Sequence, residues 1–204
     1  MMLRALPSFA GRGPSDLTVS SLAADMATTQ EMFMSDLEDK QKITEAIYLY
    51  CRGLDRGDLS VLEKVYHPDA TEDRGEGLFV GNAWDMLEQA LKVLDRVYAS
   101  TQHFMGNILI EVSGDTAFAE SYFQAYHRRK DFPEPSSSKP TKEFVMSGRY
   151  LDRFEKRNGN WKIAHRKMIV DWVHSRNVDE TWFERNPGAI RGGRNGPGSR
   201  LQDM

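Results

Sequence analysis

The chain has 204 residues, 40% of them hydrophobic, and a formal net charge of -3, enough apolar material for one buried core and no basic field of the kind a nucleic-acid binder displays. Cys51 is the single cysteine, which excludes an intramolecular disulfide framework and a Cys-rich zinc motif. No run approaches the roughly 18 consecutive apolar residues of a membrane span, so one soluble cytoplasmic domain is expected, with neither nucleic-acid nor membrane partners.

Residues 1–33 mix Gly, Pro, Ser, Thr and Ala without a sustained period, and they read as a disordered extension. Ser35 or Asp36 is expected to cap a helix in which Ile43, Ile47, Tyr50, Cys51 and Leu54 recur at helical spacing, ending at Gly53 and Gly57. Leu59, Leu62, Val65 and Tyr66 predict a second helix stopped before Pro68. Trp84, Met86, Leu87, Ala90, Leu91 and Leu94 predict a third. From about residue 98 the period changes, and 107–112, 116–128, 143–155 and 160–172 read as strands separated by "SGD", "RNGN" and a long loop at 133–140. The Gly- and Arg-rich residues 186–204 read as a disordered tail, leaving 34–185 as the folded unit. Helices followed by long antiparallel strands make an α+β fold.

Five histidines are present, and His67, His165 and His174 read as surface, cap or strand-end residues. His103 and His127 differ. The strand from 116 to 128 carries Ala117, Ala119, Ser121, Phe123, Ala125 and His127 on one face, and small residues there leave room for a ligand cavity above a curved sheet. His103 can share that face with Ile108, Ile110 and Val112 only if the strand between them is bulged, and Gly106 permits a bulge. Asp55 stands where the first helix breaks at Gly57, and on local evidence it is a helix-terminus aspartate.

"GLDRGD", "TQHFMGN", "AYHRRKD" and "FEKRNGNWK" occur in that order within residues 36–183. This ordered set resembles the SnoaL-like and scytalone dehydratase-like branch of the nuclear transport factor 2-like superfamily, and is similar in its Asp/His pair to lindane dehydrochlorinase. The resemblance implies a cone of curved antiparallel sheet with N-terminal helices closing a pocket. It also implies an oriented histidine base, with Asp55, His103 and His127 in the family's positions and Tyr50 where bile acid dehydratases have a tyrosine. The tyrosines with which scytalone dehydratase polarises its carbonyl would fall at Leu54 and Arg74, and its later asparagine at Tyr150, so scytalone itself is not the expected substrate.

The chemistry so implied is elimination or isomerisation beside a carbonyl of a small hydrophobic compound, with no metal or organic cofactor. His103 is the expected base, Asp55 its orienting partner, and His127 or Tyr50 the proton donor. Arg74, Tyr150, Phe123, Ala125 and Met105 are the expected substrate contacts. Arg74 can alternatively be held in an ion pair by Glu72 or Asp73. A cofactor-free lyase is the first reading. An isomerase or polyketide cyclase with the same pair, or a non-catalytic binding module, stands beside it. A dimer or trimer burying an uncovered sheet face is expected.

Overall fold

A computed structural model describes residues 19–130, 142–178 and 181–194. The expected loop at 133–140 and residues 1–18 and 195–204 lie outside the described residues. Helix α1 (Val19–Arg56) is followed by one short turn, α2 (Leu59–Leu62), and by strands β1 (Tyr66–Asp73) and β2 (Val80–Asn82). Helix α3 (Ala83–Val97) then leads into four long strands, β3 (Tyr98–Ser113), β4 (Thr116–Arg129), β5 (Lys142–Arg157) and β6 (Asn160–Asn177), and a short helix, α4 (Thr181–Arg185). No helix among the described residues is long and apolar enough to cross a membrane.

The six strands form one curved, unclosed sheet in the order β2-β1-β6-β5-β4-β3, confirming the α+β class. Neighbouring strands are antiparallel except β1 and β6. Curvature comes with register shifts between Met105 and Ile108, between Ser147 and Gly148, and between Arg153 and Phe154, since an extra residue on one strand bends it and increases its twist. The concave face holds the core. Ile43, Ala46, Ile47, Tyr50, Cys51 and Leu54 of α1 and Met86, Leu87 and Leu94 of α3 pack against it.

Three expectations are corrected. Helix α1 starts at Val19, not at a Ser35 or Asp36 cap. The residues before Ser35 include good helix formers such as Ala, Met and Glu, which can extend a helix already anchored by its C-terminal half. The second helix stops at Leu62, and Tyr66–Asp73 is a strand that includes Pro68. Proline is tolerated there because the pairing with β6 is irregular between Tyr66 and Thr71. His67 is consequently buried, with Nε2 2.9 Å from the Glu155 carbonyl. Residues 186–194, assigned to a disordered tail, return to the body of the fold and bury Arg194 to 5% exposure.

Candidate active site

Asp55 is placed by the way α1 ends. Gly57 adopts φ +67°, the left-handed conformation that glycine reaches without steric cost. Its N–H donates to the Leu54 carbonyl and the Asp58 N–H donates to the Gly53 carbonyl, the paired bonds of a Schellman C-terminus. Asp58 then caps α2 through Ser60 and Val61. Asp55 therefore lies one turn beyond Cys51 on the buried stripe of α1, facing β3.

His103 is placed by the bulge. Met105 pairs with Phe123 and Ile108 with Ser121, so three steps on β3 oppose two on β4, with Gly106 and Asn107 between. Thr101, His103 and Met105 consequently face inward before the irregularity, and Ile108, Ile110 and Val112 after it.

The two side chains meet. His103 Nδ1 is 2.7 Å from Asp55 Oδ1, and the His103 backbone N–H donates to Asp55 Oδ2 at 2.8 Å. Their side chains are 6% and 13% exposed, so little water competes for either bond. Burial alone would raise the Asp55 carboxyl. The His103 ring and N–H, with the Thr101 hydroxyl, outweigh that and hold it below the ordinary carboxylate range. An ionised carboxylate can only accept, so the proton between them belongs to Nδ1 and the Nε2 lone pair of neutral His103 is free to take a proton.

The imidazole opens on a cavity of about 360 Å³ between the concave sheet and α3. Leu54, Leu78, Phe79, Met86, Ala90, Leu94 and Met168 make its wall largely apolar. Of the sequence-selected residues, Tyr50, Arg74, His103, Phe123, Ala125, His127 and Tyr150 line it, and Asp55 supports it from behind. Met105 does not: at the bulge it packs against the core. Arg74 lines the cavity and is held in an ion pair by Glu72, with Nε 2.7 Å from Oε1.

His127 stands with its ring centroid 5.8 Å from that of His103. Burial, then the neighbouring imidazole, pushes its pKa down to about 4. Neutral His127 gives Nδ1–H to the Phe144 carbonyl at 3.3 Å, leaving Nε2 as an acceptor rather than an acid. Two buried tyrosines present hydroxyls to the same cavity. The Tyr50 and Tyr150 hydroxyls lie 3.5 Å apart, and burial raises both above the ordinary phenol, so they stay protonated. Burial likewise pushes the Cys51 thiol up to about 12, which removes it as a nucleophile.

Sequence reasoning missed the charge behind these tyrosines. Arg166 is fully buried, forms a two-pronged pair with Asp152 at 2.7 Å on each prong, and lies 4.0 Å from the Tyr50 ring centroid and 4.1 Å from that of Tyr150. The available signal was parity, because Arg166 and Met168 alternate on the inward face of β6. Among the described residues no group of three or more His, Cys, Asp or Glu side chains is arranged to hold a metal ion.

An open curved sheet with helices over a cavity is the architecture of the nuclear transport factor 2-like superfamily. Within it the chain belongs to the SnoaL-like domain family, whose profile matches residues 35–167. The scytalone dehydratase candidate of Novosphingobium aromaticivorans is similar at 22% identity and a TM-score of 0.60, covering 72% of this chain and 93% of its own. A type 2 hexachlorocyclohexane dehydrochlorinase (LinA) is similar at 19% identity and 0.60, covering 72% and 94%. The Kfla4162 protein of Kribbella flavida is similar at 15% and 0.60, covering 68% and 95%. At these identities the likeness shows the fold. No curated protein matches the chain.

Proposed function

We propose that this protein is a cofactor-free lyase that removes water from a small hydrophobic hydroxylated carbonyl compound, of the polyketide, aromatic, steroid or terpenoid kind. The observation that carries the reading is the 2.7 Å contact between His103 Nδ1 and Asp55 Oδ1 at the wall of a mostly apolar cavity. His103 Nε2 takes the proton from the carbon next to the carbonyl, and Asp55 offsets the positive charge that develops on the ring. The Tyr50 and Tyr150 hydroxyls donate to the enolate oxygen as it forms, with Arg74 adding positive charge from the cavity wall. When the C–O bond breaks, the proton held by His103 passes to the departing hydroxide, so the step balances as one alkene and one water. His127 accepts a hydrogen bond from a substrate hydroxyl. Phe123 and Ala125 give apolar contact.

Screening hydroxylated aromatic, steroid and terpenoid ketones by mass for loss of water tests this. On a substrate so found, folded His103→Ala should lose on the order of 10² to 10⁴-fold in turnover, the contribution of a positioned general base. Near-normal turnover would make the imidazole structural. A product of unchanged mass would favour the isomerase or cyclase reading, in which the same base moves a proton without expelling hydroxide.

The outer sheet face exposes Phe104, Leu109, Phe118, Tyr122 and Trp172. That much apolar surface favours a dimer or trimer that buries it. Light scattering giving a mass near 23.3 kDa at micromolar concentration would refute the assembly.

A further inference from the structure

The C-terminal segment carries an arginine to the back of the Asp55–His103 pair, from outside the stretch that the family profile matches. Arg194 is 5% exposed, although the segment around it is polar and rich in glycine. Its Nη1 donates to the Leu54 carbonyl at 2.6 Å and to Thr101 Oγ1 at 3.0 Å. Leu54 precedes Asp55, and Thr101 is two residues before His103 on the same inward face of β3. The Thr101 hydroxyl in turn is one of the groups that hold the Asp55 carboxyl below its ordinary range. The attachment is reciprocal, because Arg56 Nη1 donates to the Gly193 carbonyl at 2.9 Å. The guanidinium also lies against Gly57, where a Cβ would stand 3.2 Å from Nη2.

An aspartate in the last turn of a helix sits where the exposed carbonyls already concentrate negative charge. A buried guanidinium on one of those carbonyls adds positive charge beside Arg56 of the last turn and holds the Thr101 hydroxyl on the strand that carries His103. We infer that Arg194 is a positioning residue of the pair: through the Leu54 carbonyl and the Thr101 hydroxyl it sets the place of Asp55 against His103. This role presupposes that His103 acts as a base, and it adds the C-terminal segment to the machinery of that base.

The titration of His103 reads this role without any substrate. In the full chain with labelled histidines, the His103 ring resonance is assigned by its loss in His103→Gln and followed against pH. Removing a nearby cation makes an imidazole easier to protonate. Arg194→Gln, which keeps a hydrogen-bond donor and loses the charge, should therefore raise the His103 midpoint by roughly 0.5 to 1 pH unit, for a unit charge on the far side of Asp55 at an effective dielectric between protein and water. Arg194→Lys should bring it back toward the parent. The other titratable or charged groups around the site are Tyr50, Cys51 and Arg56 of α1, Arg74, Asp95 of α3, Tyr98 of β3, His127 of β4 and Tyr150 of β5, and none of them is changed. An unmoved midpoint in folded Arg194→Gln, or a Lys variant displaced as far as the Gln variant, would overturn the assignment. So would loss of the fold in Arg194→Gln, which would make the residue a structural anchor. If the midpoint moves as expected but no compound loses water, the positioning stands and the lyase reading fails. An unmoved midpoint beside a His103-dependent turnover has the opposite meaning.

Discussion

His127 should make the protein unusually sensitive to mild acid, in a pH window that can be separated from that of its carboxylates. The perturbation is a fall in pH from 7 to 4, applied to the parent chain and to His127→Gln, which keeps a polar side chain beside the Phe144 carbonyl but does not titrate. In the unfolded chain the imidazole protonates near its ordinary 6.5, whereas burial and His103 push it down to about 4 in the fold. The unfolded state therefore binds more protons between those values, so the stabilisation is intact above about 6.5 and is lost as the pH falls toward 4. At about 1.36 kcal/mol per pH unit the full loss is about 3 kcal/mol, with about 2 kcal/mol already gone at pH 5. Asp55 is held below its ordinary value, so its contribution is lost only at lower pH, as the carboxylate itself protonates. Urea unfolding of both chains at several pH values between 7 and 4.5 gives the difference directly. A difference that stays flat across that range would show that His127 is not held neutral by the fold.

Asp152→Ala should cost about 3–5 kcal/mol in urea unfolding, because it leaves the Arg166 guanidinium buried without its carboxylate; a cost under about 1 kcal/mol would mean that Arg166 escapes to water. Gly148→Ala should destabilise the fold severely, by more than about 3 kcal/mol, since a Cβ there collides with the Ile169 carbonyl of the neighbouring strand. A thermal midpoint within a few degrees of the parent would contradict that close approach. Gly57→Ala should cost about 1 kcal/mol through its φ of +67° and, by disturbing the end of α1, lower turnover more than stability. Unfolding and rate measurements on the same preparation separate the two effects.

Much of the site was legible because the residues that build it announce themselves locally. The stripe from Ile43 to Leu54, broken at Gly57, placed Asp55 at a helix end. The alternation from Ala117 to His127 disclosed a face too small to fill a core. The parity conflict between His103 and Ile108 required a bulge, and the bulge is present between Met105 and Ile108. That same irregularity turns Met105 into the core, which the strand pattern did not resolve. Strand β1 was hidden because Pro68 argues against a strand, and its parallel pairing with β6 joins segments about a hundred residues apart.

By itself the sequence determined periodicity, the break points and the chemical types present, since these depend on neighbours within a turn or two of chain. Tertiary structure decided which charges are buried. Parity on β6 marks Arg166 as inward-facing but not what meets it, and Arg194 reads as part of a polar tail, because an arginine leaves water only when distant partners are already in place to meet it. For Arg166 the partners are Asp152 on the adjacent strand and the rings of Tyr50, Tyr66 and Tyr150. For Arg194 they are a carbonyl 140 residues earlier in the chain and the Thr101 hydroxyl. Chain closure alone brings these groups together, and no window short enough to show a period is long enough to show them.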